Sequence, residues 1–145
     1  MIKTIYLFFF VCIFSLGLWA CTGKEEPYKN LNCAQFAELI NNPEVQLVDV
    51  RTMDEYTEGH IAGSLIIDVK DESFANLVDE QLAKDKKVAV YCRSGRRSRT
   101  AAKQLTEKGF KVYNLNKGIL HWKEKGKTIL EELSQKSGKI GAFAT

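Results

Sequence analysis

The four cysteines of this chain, at positions 12, 21, 33 and 92, include no Cys-x-x-Cys pair. A zinc ribbon or a thioredoxin-type redox centre needs that spacing, so neither chemistry is written here. An excess of one charge is also missing. Twenty-one Lys and Arg against 18 Asp and Glu leave a net charge of +3. That is no global case for nucleic-acid binding, and any electrostatic argument must be local. There is no internal repeat and no low-complexity segment. No apolar run reaches the roughly 20 residues of a typical membrane-spanning helix. What is present is 145 residues, 45% hydrophobic and 27% charged, which is the profile of one folded domain of ordinary size.

The first twenty residues stand apart from that domain. A short basic start, Met1-Ile2-Lys3-Thr4, precedes a stretch from Ile5 to Leu18 that is apolar except for Ser15 and Gly17. Its size is that of a signal-peptide core. It ends in Leu18-Trp19-Ala20-Cys21, which resembles the lipobox of bacterial lipoproteins. That resemblance implies cleavage before Cys21, lipid on its sulfur and acylation of its amine. Several acyl chains would hold the product firmly on a membrane, where one chain alone is marginal. Residues 1–20 are therefore expected to be a signal peptide. Residues 21–30, polar and carrying Lys24-Glu25-Glu26 and Pro27, read as a linker.

From residue 31 the hydrophobic pattern alternates between two periods. Asn32 can cap a helix with Phe36, Ala37, Leu39 and Ile40 as its apolar positions. Strands are expected over 45–50, 64–69, 87–91 and 111–115. Helical segments are expected over 53–58, 74–82, 97–108 and 119–125, the last two stopped by Gly109 and Gly126. Residues 128–135 read as one more surface helix, in a C-terminal extension over 128–145. The alternation predicts an α/β fold for residues 31–127: a mainly parallel sheet of about five strands with helices on both faces. In such sheets ligands bind beyond the carboxyl ends of the strands.

The chemistry concentrates after the strand at 87–91, in Cys92-Arg93-Ser94-Gly95-Arg96-Arg97-Ser98. A buried strand delivers a cysteine to the sheet edge, a short loop follows, and a helix begins. Loop amides can point inward as an anion-binding nest. The helix N-terminus adds partial positive charge, and Arg93, Arg96, Arg97 and Arg99 add formal charge. All three favour an anionic sulfur, the nucleophilic form. Gly95 can take the backbone angles of a tight loop. A cysteine at a strand end is ordinarily a small buried apolar residue, but four arginines and a glycine in the next seven positions argue for function. Gly126-Lys127-Thr128 is no phosphate loop, because the required first glycine falls at His121. Cys33 reads as buried and inert, His121 as a surface residue and Trp122 as core.

The Cys92 loop resembles the active-site loop of rhodanese-like domains, in which a cysteine opens a six-residue cradle before a helix. Two more stretches carry the resemblance: Asp49-Val50-Arg51 with Glu55-Tyr56 and Gly59-His60-Ile61-Ala62-Gly63-Ser64, then Ala101-Ala102, Leu105, Gly109-Phe110, Val112, Leu115, Gly118-Ile119 and Trp122. Family members often have Ala-Ile-Asn where this chain has Ser64-Leu65-Ile66, and Gly where it has Lys117. The resemblance implies a sulfurtransferase in which Cys92 is the nucleophile and persulfide carrier. Amides over 93–98 would hold the persulfide, and Arg93, Arg96 and Arg97 would attract anionic donors such as thiosulfate. Acceptors would be thiols or cyanide, with no metal, cofactor or nucleic acid involved. Asp49 and Arg51 are expected to pair and brace the strand end, and His60 to support the site.

Two rivals are weighed. Phosphatases and arsenate reductases of similar fold resemble Cys-x5-Arg, one residue longer than the Cys92–Arg97 loop here. A non-enzymatic persulfide carrier would share the cysteine but need a partner for turnover.

The N-terminal reading has its own test. The precursor should be cut before Cys21 and the product should partition with membranes, whereas Cys21→Ser should yield a soluble or uncleaved form. Mass spectrometry of the wild type showing a lipid-free chain cut at another bond would sink the expectation.

Overall fold

The structure is a computed structural model that describes residues 26–131. The expected signal peptide, the expected lipid attachment at Cys21 and the end of the C-terminal extension lie outside the described residues. Five strands are present: β1 (Lys29–Leu31), β2 (Val45–Asp49), β3 (Leu65–Ile66), β4 (Lys87–Tyr91) and β5 (Lys111–Leu115). Five helices join them: α1 (Cys33–Ile40), α2 (Met53–Thr57), α3 (Phe74–Gln81), α4 (Arg96–Glu107) and α5 (Gly118–Glu124). The strands form one sheet in the order β1-β5-β4-β2-β3, and every pairing is parallel.

Parallel pairing requires crossover connections, and the helices supply them on both faces. The period-2 alternation of β4 shows how the faces divide. Val88, Val90 and Cys92 belong to one core with Phe74 and Val78 of α3 and Ala101, Ala102 and Leu105 of α4. Ala89 and Tyr91 belong to the other, with Cys33 and Phe36 of α1 and Ile119 and Trp122 of α5. The two thiols of the described residues, Cys33 and Cys92, are both free and buried. They sit in opposite cores with the sheet between them, a placement that no disulfide spans without moving the backbone.

Local signals set the helix ends. The Asn32 side chain accepts from the Gln35 amide at 3.0 Å, and the Gln35 side chain accepts from the Asn32 amide at 3.1 Å. This reciprocal capping box starts α1, and Thr52 and Glu55 form another at α2. At the far end of α4, the Gly109 amide donates to Thr106 and the Phe110 amide to Leu105. Gly126 and Lys127 repeat that Schellman pattern after α5.

Three expectations need correction. The linker does not run to residue 30: Lys29–Leu31 is a strand on β5, and Tyr28 is buried. Strand β1 is only three residues long with two exposed positions, so it lacks the apolar run that marks a strand. The strand expected over 64–69 is regular only at Leu65–Ile66, although Ile67 and Val69 still donate to Asp49 and Val50. No helix forms at the start of 128–135. Leu130 instead makes an antiparallel bridge with His60, with amide-to-carbonyl bonds of 2.8 and 2.7 Å. The Trp122 indole donates to the Thr128 carbonyl at 3.1 Å, and Ile129 packs on the α1/α5 core. These tertiary contacts outweigh weak local helix propensity.

Candidate active site

Cys92 follows the last residue of β4, at the carboxyl edge of the sheet, and is 1% exposed. The loop after it turns back within three residues. The Gly95 amide donates to Cys92 Sγ at 3.1 Å. Gly95 has φ +90°, and a Cβ there would meet the Lys117 amide nitrogen at 3.0 Å. Only glycine takes that conformation in that space without strain. Helix α4 starts at the next residue, and its first-turn amides, at Arg96, Arg97 and Ser98, have no acceptor within the helix.

A loop whose amides face inward must find acceptors for its carbonyls elsewhere. Ile119 at the start of α5 donates its amide to the Cys92 carbonyl at 2.8 Å, and Leu120 donates to the Arg93 carbonyl at 3.2 Å. The Gly95 carbonyl accepts from the Ser98 hydroxyl at 3.2 Å and from the Arg99 amide at 3.3 Å. The two helix N-termini thus do different jobs. One faces the sulfur, and the other holds the back of the loop. Gly118 makes the second grip feasible: its φ is +64°, and a Cβ would run into the carbonyl oxygens of Cys92 and Arg93.

Around the loop, one of the arginines is already committed. Arg97 was expected to orient anionic donors beside Arg93 and Arg96. Its guanidinium is instead held by Glu55 in a two-bond pair of 2.6 and 2.7 Å, a geometry that fixes both partners. Arg97 clamps α4 to α2, and its bonds hold the Glu55 carboxyl down at about 2. Arg93 and Arg96 are exposed. Neither has a carboxylate partner among the described residues. Ser94 is exposed, and Ser98 is fully buried.

Asp49 and Arg51 form a buried pair, with Arg51 Nε at 2.9 Å from both carboxylate oxygens and Nη2 at 2.7 Å from one. The same Nη2 donates to the Gly59 carbonyl at 2.7 Å. Burial opposes the Arg51 charge, but the bonds to Asp49 more than offset it and raise its pKa. His60 stacks on Tyr56 with ring centroids 3.7 Å apart, and its Nδ1–H donates to the Tyr56 carbonyl at 3.0 Å. Its ring and backbone therefore brace the segment between α2 and β3.

Two contacts escaped the sequence reading. The Glu55–Arg97 pair joins residues 42 apart, and only their separate membership of two motifs hinted at it. Tyr91, next to the cysteine, is fully buried and its hydroxyl meets the Ile61 amide and the Ser64 hydroxyl, each at 3.0 Å. Burial, then the nearby Asp49 charge, raises the Tyr91 pKa, so it acts as a neutral strut. The stretch from Gly59 to Ser64 is wrapped around the residue that precedes the nucleophile candidate.

The rhodanese-like domain family matches residues 32–125. The chain belongs to the rhodanese-like domain family. A thiosulfate sulfurtransferase GlpE of Coxiella burnetii is 38% identical over 99 residues, covering 66% of this chain and 88% of that protein. Among solved structures, a rhodanese-related protein of Thermoplasma volcanium aligns with a TM-score of 0.60 at 31% identity, covering 71% of this chain and 98% of that one. A polysulfide-sulfur transferase homodimer of Wolinella succinogenes aligns with a TM-score of 0.63 at 26% identity, over 78% of this chain and 85% of that one. Rhodanese-like membership and these relatives support sulfur transfer as the class of activity.

Two outcomes follow from the bracing of the loop. Gly118→Ala should cost about 2–4 kcal/mol, since it combines a left-handed backbone with a backbone clash. Urea titration checks this, and a variant within error of wild type would remove the glycine from the account. Glu55→Gln should cost about 1–3 kcal/mol near neutral pH, as a charged hydrogen bond is lost. Because folding lowers the Glu55 pKa from 4.5 to about 2, its contribution is fully present above the unfolded value. It fades as pH falls through that window. The stability gap between wild type and Glu55→Gln should therefore narrow on acidification, as read by unfolding titrations along a pH series.

Proposed function

We propose that this chain is a sulfurtransferase that moves sulfane sulfur from a donor such as thiosulfate to a thiophilic acceptor through a persulfide on Cys92. The observation that carries the reading is the 3.1 Å bond from the Gly95 amide to the buried Cys92 Sγ, at the mouth of a helix N-terminus. In the first half-reaction the Cys92 thiolate attacks the outer sulfur of thiosulfate. A new S–S bond forms, the old one breaks, and sulfite leaves with the bonding pair. The cysteine then carries a persulfide with one negative charge, which amides over 93–98 stabilise as oriented dipoles. In the second half an acceptor, a thiolate or cyanide, attacks the outer persulfide sulfur. The Cys92 thiolate leaves with the pair and the cycle closes. This is two-step covalent catalysis.

Loop length argues against a phosphoryl substrate. Six positions, Cys92 to Arg97, make a cradle suited to one added sulfur atom. A phosphate or arsenate brings a central atom with several oxygens, each needing room and a donor. The position at which a Cys-x5-Arg loop carries its arginine is Ser98 here, and Arg97, one residue earlier, is engaged by Glu55. The reading extends to placement: the Leu18-Trp19-Ala20-Cys21 segment would tether the enzyme by lipid to a bacterial membrane, on the periplasmic side or at the cell surface.

Cys92→Ser should reduce sulfur transfer to background while the fold survives, because Ser is near in size but a far poorer nucleophile at neutral pH. Cys33→Ser should keep most of the activity, since Cys33 lies in the opposite core and burial raises its pKa. Purified wild type, without a partner protein, should turn over thiosulfate and cyanide yet barely hydrolyse an aryl phosphate. Inserting one Gly after Gly95 should lower the first activity and, if anything, raise the second. A wild type that is a good phosphatase and a poor sulfurtransferase refutes the proposal.

A further inference from the structure

Lys117 occupies an unusual place. It caps α5 with φ 68° and ψ 1°, and it is the only non-glycine residue with positive φ among the described residues. A glycine would sit there at no steric cost, whereas a lysine is strained. The residue is exposed, so packing of its side chain does not account for it. Strain that persists without a packing reason points to a use for the side chain.

The surroundings suggest that use. The Lys117 amide nitrogen and Cα lie 3.0 and 3.5 Å from where a Cβ on Gly95 would stand. Gly95 is the residue whose amide holds the Cys92 sulfur. Three residues on, the Leu120 amide is bonded to the Arg93 carbonyl. The β5–α5 turn is thus pressed against the sulfur loop, with the Lys117 backbone against Gly95 in the loop that runs from Arg93 to Arg96. None of these three cations has a carboxylate partner among the described residues, while Arg97 is neutralised by Glu55.

We propose that Lys117 is a specificity-determining residue, the third cation of a rim that also holds Arg93 and Arg96, and that it favours dianionic sulfane donors over monoanionic ones. The inference rests on the sulfurtransferase reading. Its chemistry is simple. When the outer sulfur of thiosulfate meets Cys92, the sulfonate end faces outward and carries charge to the rim. A thiosulfonate such as methanethiosulfonate offers the same outer sulfur and leaves as a sulfinate, but brings one negative charge in place of two. A rim cation acts on the dianion about twice as strongly in free energy.

The test compares both donors. Lys117→Gln keeps the left-handed backbone strain and removes the charge. It should raise KM for thiosulfate by roughly three- to tenfold with kcat changed less than about twofold, and KM for methanethiosulfonate by no more than about threefold. Lys117→Arg should restore the wild-type preference. Lys117→Gly should raise the thermal midpoint by relieving the strain, yet share the loss of preference, which separates charge from backbone. The difference between wild type and Lys117→Gln should shrink in about 0.5 M salt. Equal KM changes for both donors, or none, overturn the inference while the activity itself stands. If the wild type shows no turnover, the sulfurtransferase reading fails instead. Calorimetric binding of thiosulfate to Cys92→Ser, with and without Lys117→Gln, then still reads the lysine directly: equal affinities overturn its role, and weaker binding without the charge supports it.

Discussion

The bond from the Ile119 amide to the Cys92 carbonyl, 2.8 Å long, is the contact on which the sulfur loop depends. A loop can aim its amides at one point only if its carbonyls are satisfied on the other side. The start of α5 provides those donors, because the first turn of any helix has amides without partners. This single demand explains several residues at once. Gly118 leaves room for the close approach, Gly95 lets the loop turn under the neighbouring strand end, and the strained Lys117 lies in the turn between them.

The rest of the site is bracing. Strand β4 brings Cys92 to the sheet edge, and each neighbour at that edge is tied down by a polar contact. The Asp49–Arg51 pair fixes the end of β2 and reaches Gly59. Tyr91 anchors the Gly59–Ser64 stretch through its hydroxyl. Glu55 and Arg97 lock α2 against α4. Buried ions of this kind are costly when unpaired, and here each is paired within its motif or across to another. Arg93, Arg96 and Lys117 are exposed and have no carboxylate partner among the described residues.

Much of this was legible in the chain. The strand–loop–helix context of Cys92, the parallel α/β architecture and the stops at Gly109 and Gly126 all rest on local rules of periodicity and backbone freedom. Less was legible wherever an element is short or held by distant partners. Strand β1 has three residues and no apolar run. Residues 128–131 took an extended path because His60 offers a backbone partner and Trp122 an indole donor. Arg97 looked like its neighbours in sequence, and nothing local could separate a clamp from a free cation.

The sequence by itself determined the candidate nucleophile and the fold beneath it, since burial patterns and glycine positions act over a few residues and are read in order. Only the tertiary structure decided how the charges are spent. Whether an arginine meets a carboxylate depends on where the sheet brings residues 42 apart, and whether a lysine stands at the loop depends on the turn beside Gly95. Those are distances through space, and the order of residues along the chain does not contain them.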